Sequence, residues 1–161
     1  MVLLKLLACL LLTLVLYQDY KEREVYWFLF PLVGIVLASL NFAHHLEPMI
    51  VVYNVLLNLL LVTGVVLALY LVTRGILKKR FMDHSFGKGD LLFFYALGLG
   101  FPTITFTIIF TGALLFSLLL HFALKHRHHD TTVPLAGYMS LFLGLVIFLS
   151  IFVRTPSLYT L

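Results

Sequence analysis

Cysteine is all but missing from this 161-residue chain. Cys9 stands alone, which excludes an internal disulfide framework and a thiolate zinc site. Charge is nearly as scarce: 11% of the residues are charged against 62% that are hydrophobic, a balance far from that of an ordinary water-soluble domain. Acids are the rarest of the charged groups, with seven Asp and Glu facing eleven Lys and Arg. Internal repeats, low-complexity tracts and Ser/Gly-rich linkers are also lacking, so nothing divides the chain. These absences leave one reading of fold class, an all-α integral membrane protein in which residues 1–161 form a single membrane-embedded domain.

What is present is a series of apolar runs. A helical crossing takes about 20 residues, and hydropathy places spans at 2–17, 25–43, 49–73, 91–101, 103–124 and 134–153. The chain is thus expected to be a bundle of about six transmembrane helices. Tyr17, Tyr20, Tyr26 and Trp27 cluster between the first two, where an interfacial aromatic belt belongs. The fourth run is short, because eleven residues rise only about 16 Å as a helix, half the hydrocarbon thickness. It is read as a short crossing into a thinned or hydrated region rather than as part of one long helix through Gly98, Gly100 and Pro102. Asn54 and Asn58, at helical spacing in the third run, are expected to face the bundle and bond between helices. The run Leu6-Leu7-Ala8-Cys9 has the form of a lipoprotein cleavage box, but only eight residues precede Cys9 and the apolar run continues to Tyr17. Cys9 is read as a core residue.

Basic residues fix the orientation. The segments 18–24, 74–90 and 125–133 hold nine of the eleven Lys and Arg, leaving Lys5 and Arg154 near the opposite face. The positive-inside rule makes the richer side cytoplasmic and puts both termini outside. The net charge of +4 follows from this topology and from attraction to anionic lipid. No nucleic-acid motif accompanies it.

An acid beside a bilayer is costly to desolvate and marks a functional hypothesis by default. Asp19 closes the first apolar run, and Asp90 ends the stretch Gly87-Lys88-Gly89-Asp90 that opens the fourth. Both fall on the cytoplasmic side, where packing of spans one and four would bring them to a common cavity. Taken alone, the stretch reads as a Gly-rich loop; Asp19 in its company turns the reading toward a proton-sharing carboxylate pair. Gly87 and Gly89, without side chains, would let a bound peptide approach the backbone closely. Asp83 reads as a solvated loop acid, and Glu22 and Glu24 as members of surface pairs. His126, His128, His129 and Asp130 have metal-binding side chains, but adjacent histidines around Arg127 do not converge on one ion.

In combination these segments resemble the type IV prepilin peptidase family, the membrane aspartyl proteases with a Gly-x-Gly-Asp motif. Asp19-Tyr20-Lys21-Glu22-Arg23-Glu24-Val25 is similar to the family's first-aspartate loop, Gly87-Lys88-Gly89-Asp90 to its second-aspartate motif, and Val133-Pro134-Leu135-Ala136-Gly137-Tyr138 to the Pro-containing start of its last span. The order is the family's and the resemblance covers the whole chain. Tyr26, Phe93 and Gly137 depart from it, standing where Pro, Lys and a second Pro are usual.

The resemblance implies a short, peptidase-only form in a prokaryotic inner membrane, with Asp19 and Asp90 catalytic and no cofactor. Its partner would be a prepilin-like substrate whose leader is cut at the cytoplasmic face. The alternatives are a non-catalytic small membrane protein, such as a proton-conducting or assembly subunit, and a degenerate homologue of the peptidases.

Overall fold

The structure, a computed structural model, describes residues 1–22, 24–44, 47–75, 87–124, 134–153 and 158–159. Six helices and no strand occur among them: α1 (Val2–Lys21), α2 (Leu29–His44), α3 (Pro48–Gly75), α4 (Lys88–Gly98), α5 (Thr103–Leu124) and α6 (Leu135–Phe152). Four of these, α1, α3, α5 and α6, are long and apolar enough to cross a membrane, and α2 is a shorter apolar helix. The His-rich segment 126–130, Asp83, and the basic residues Arg23, Lys78, Lys79, Arg80, Lys125, Arg127 and Arg154 lie outside the described residues.

The apolar runs form helices because a helix satisfies the backbone groups within its own segment where no water can, and their outer faces carry side chains that water would reject. Leu60 is 74% exposed and Leu119 68%, both well inside their helices, as expected where lipid is the solvent. The centre of the bundle is α4, which packs against α2, α3, α5 and α6. Phe93, Phe94 and Leu97 of α4 are fully buried. Phe93 meets Phe30 of α2 edge-on, and Phe94 meets Phe110 of α5 in the same way at 4.9 Å between ring centroids, a favoured aromatic geometry. The most extensive helix pair is α1 with α6. Lys5 near the start of α1 donates to the Ser150 carbonyl in the last turn of α6 at 3.0 Å, a cation on the negative end of a helix. The two helices are therefore antiparallel, and the end of α1 lies beside the beginning of α6.

Between α4 and α5 the chain turns at residues 99–102 inside the bundle, with Gly100, Phe101 and Pro102 all buried. Helix-end carbonyls freed in an apolar interior need donors, and asparagines supply them. Asn58 Nδ2 donates to the carbonyls of Gly98 at 3.0 Å and Phe101 at 2.8 Å, while Asn41 Nδ2 reaches the Leu99 carbonyl at 3.3 Å. Thr103 Oγ1 donates to Asn54 Oδ1 at 3.1 Å. The expectation of interhelical bonding at Asn54 and Asn58 holds, and its reason is the broken backbone opposite them. Gly100 adds a steric requirement, since a Cβ there would stand 3.0 Å from Leu37 Cβ.

These contacts also fix the height of α4. Thr103 pairs with Asn54, Phe101 and Gly98 with Asn58, and the Tyr95 hydroxyl with Thr63, an antiparallel register against α3. Continued by one more turn, it sets Asp90 level with Leu67 and Ala68, about 10 Å short of the end of α3 at the helical rise.

Removing the asparagine donors should loosen this turn. Asn58→Leu is expected to cost about 1–3 kcal/mol, two interhelical bonds at their usual worth in membrane proteins. The check is the thermal unfolding midpoint in detergent, with Asn58→Gln retaining part of the loss.

Candidate active site

Asp19 is not in a loop. Residues 18–21 continue α1 by another turn beyond the apolar run, because Gln18, Tyr20 and Lys21 hold the helical pattern and the Glu22 N–H bonds back to the Gln18 carbonyl at 2.8 Å. A carboxylate in the last turn of a helix faces the negative end of its dipole, an unfavourable position by itself. Here the antiparallel neighbour offsets it. Gly137 N–H, in the first turn of α6, donates to Asp19 Oδ2 at 2.5 Å.

Asp90 arrives from the other direction. Gly87 has extended backbone and caps α4, so Lys88, Gly89 and Asp90 are its first three residues. An acid at the third position can reach back to the N–H of the capping residue, as in a capping box, and the Asp90 carboxylate does accept from Gly87 N–H. Its other contact is between helices: Ala136 N–H donates to Asp90 Oδ1 at 2.9 Å. Two consecutive peptide N–H groups of α6 thus receive the two carboxylates, and this is what brings Asp19 and Asp90 together.

The expected side-by-side packing of α1 and α4 needs correction. Those two helices share no extensive contact; α2 and α6 each touch both and stand between them. The reason is the size of the aromatic residues on α4, whose Phe93 and Phe94 fill the space toward α2 and α5. The acids meet through the end of a third helix.

The reason is local. Pro134 precedes α6 and makes no side-chain cap, and the first N–H groups of any helix have no partner within it. In a buried first turn such donors need an acceptor; Ala136 and Gly137 are both buried. Their acceptors are the acids of α1 and α4.

The electrostatics follow from this crowding. Two carboxylates delivered to neighbouring donors lie in each other's field, and such a pair favours holding one proton between them, which is the condition for passing one.

The two motif glycines have definite neighbours. A Cβ on Gly87 would stand 3.0 Å from Asp90 Oδ2, so its missing side chain makes room for the carboxylate. A Cβ on Gly89 would stand 3.2 Å from Phe30 Cζ, so Gly89 permits close packing of α4 on α2. Gly87 is the exposed one of the two and remains open to an approaching chain. Sequence reasoning missed Ala136 and Gly137 as contributors, because backbone donors have no side-chain signature. The available signal was a proline followed within three residues by a glycine at the start of an apolar run.

Comparison of the chain with models of known protein families, with characterised proteins and with solved structures gave no match.

Substitution tests the capping. Asn retains an acceptor for the α6 donor and Ala does not, so Asp19→Ala and Asp90→Ala should each be less stable than the matching Asn variant by about 1–2 kcal/mol, the usual worth of a helix cap, as read from unfolding midpoints in detergent.

Proposed function

We propose that the chain is a membrane aspartyl endopeptidase of the prepilin-peptidase type, which removes the leader of prepilin-like proteins at the cytoplasmic face of a prokaryotic inner membrane. The observation that carries this reading is the delivery of Asp19 and Asp90 to consecutive N–H groups of α6. Two acids so close cannot both ionise cheaply, and one proton shared between them equips the pair for peptide hydrolysis. The substrate class is inferred from the resemblance of the three motifs in order, and Gly87 and Gly89 lie beside Asp90 at the start of α4.

In the reaction, the ionised acid takes a proton from a water whose oxygen bonds to the scissile carbonyl carbon. The protonated acid gives its proton to the carbonyl oxygen. Collapse of the resulting diol breaks the C–N bond: the first acid returns its proton to the departing nitrogen, and the second recovers one from a diol hydroxyl. Both acids end as they began, so the water is the only co-reactant consumed.

All six helices serve as spans in this reading, α4 being the short one, with both termini outside. Placement of the pair about 10 Å below the level of the α3 end fits a water-filled recess on the cytoplasmic side. A purely structural alternative has its own support, since both acids also cap α6. A proton-conducting role is less well served, because Lys5 and His121 are nearly the only other ionisable side chains within the apolar runs.

Orientation can be read by labelling. With Cys9 replaced, a cysteine at Glu24 should resist a membrane-impermeant reagent added outside intact cells, and one at Glu47, beyond the second span, should react; both side chains are exposed. Strong labelling at Glu24 from outside would reverse the topology.

Function is separated from capping by charge. Asp19→Asn and Asp90→Asn keep the acceptor for α6 but cannot exchange a proton, so each should lower leader cleavage by roughly a thousandfold or more, and the double variant scarcely further, since the pair acts as a unit. The assay is the fraction of a co-expressed prepilin processed per inserted enzyme. Native-like processing by either variant would rule the mechanism out and leave the capping role.

A further inference from the structure

We propose that Gly137 is a positioning residue for the carboxylate pair: its N–H holds the Asp19 carboxylate toward the start of α6 and Asp90, and its missing side chain is what lets Asp19 reach that N–H. This deepens the proteolytic reading and rests on it for the catalytic consequence, though not for the geometry.

Glycine is out of place at this position on local grounds. Residue 137 lies within α6 and its backbone is not in the left-handed region where glycine is favoured. In ordinary helical conformation glycine costs about 1 kcal/mol relative to alanine. The neighbouring chain supplies the reason. A Cβ at 137 would stand 2.9 Å from Asp19 Oδ2, 3.1 Å from Asp19 Cβ and 3.4 Å from Asp19 Cγ.

The contact at Asp19 Cβ is the decisive one. That atom is bonded directly to the α1 backbone, which cannot retreat because Leu12 and Val15 of α1 and Met139 and Leu143 of α6 are buried in the common core. Rotating Asp19 about its first torsion leaves that Cβ in place and relieves only the contact with Oδ2, by swinging the carboxylate away from the Gly137 N–H; the contact at Cβ then displaces the first turn of α6, which carries the same N–H away from Asp19.

The two acids are held by different donors. Asp90 accepts from Ala136 of α6 and from Gly87 of its own helix, whereas Asp19, at the unfavourable end of α1, accepts from Gly137 of α6. A hydrogen bond donated to a carboxylate stabilises its charged form, so the Gly137 N–H offsets for Asp19 what the end of α1 opposes. Among the described residues, the other ionisable groups toward this end are Tyr17, Tyr20, Lys21, Glu22, Glu24 and Tyr26 around the end of α1, Lys88 beside Asp90, Tyr138 next to Gly137, and His121 in the last turn of α5; α2 and α6 bring no charged side chain to it.

The test uses the full chain in lipid nanodiscs and removes the donor in two ways. Incorporation of glycolic acid at position 137 replaces the peptide N–H by an ester oxygen and adds no atom near Asp19; Gly137→Ala keeps the N–H and adds the methyl group. The first readout needs no substrate: the infrared titration of the Asp19 carboxyl, identified by subtraction of the Asp19→Asn spectrum. In the ester form its midpoint should rise by about one pH unit or more, as expected for loss of a hydrogen bond to a carboxylate. The second is leader cleavage of a prepilin, where both forms should lose about ten- to a hundredfold in kcat, the worth of a charge-assisted bond, with KM little changed and the acid limb of the ester form's pH profile moved upward. An unshifted Asp19 midpoint in the ester form would overturn the proposal whatever its activity. A shifted midpoint in a chain whose native form cleaves no prepilin would instead sink the proteolytic reading and leave the positioning role standing. Native-like kcat in both forms would also overturn it.

Discussion

The arrangement at the start of α6 depends on one constraint: a helix that begins inside a bundle exposes peptide N–H groups that its own turns cannot satisfy. In α6 those of Ala136 and Gly137 are met by carboxylates from α4 and α1. The same two bonds satisfy the helix start, relieve an acid at the unfavourable end of α1, and bring two negative groups into each other's field. Stability and reactivity are thereby set in opposition. The N–H groups favour charge on the acids, while their mutual repulsion disfavours it.

The other end of α4 answers to the same constraint with opposite polarity. Where the helix stops at Gly98, it is carbonyl groups that lack partners, and neutral asparagine donors from α2 and α3 supply them. An amide suffices there because a neutral N–H donor satisfies a carbonyl. α4 is thus held at both ends by polar contacts and along its length by Phe93, Phe94 and Leu97, which fixes the depth of Asp90 beside α3. A rigid support of this kind is what a site requires if its acids are to stay within reach of one another.

Much of this was legible in the residues. The apolar runs announced the helices, since 3.6-residue periodicity matters little where lipid surrounds the chain and hydropathy alone marks a span. The scarcity of acids singled out Asp19 and Asp90, and the bilayer cost of a carboxylate gave the reason to pair them. Asn54 and Asn58 showed their direction by spacing. Less legible were the ends of helices: α1 runs on through Asp19 to Lys21, and α2 begins only at Leu29, because polar residues at a membrane edge can extend a helix or leave it at similar cost.

The sequence by itself determined an all-helical, lipid-facing chain with two acids toward one end, because hydropathy and charge are properties of side chains and are written residue by residue. Only the tertiary structure decided how those acids meet. Neither α1 nor α4 carries the information that they are separated by α2 and α6, nor that the start of α6 lies between their carboxylates. The groups that do the joining are backbone N–H groups, which every residue but proline possesses. They gain a role at Ala136 and Gly137 through position alone, at the one turn of α6 where the helix leaves them without partners of its own.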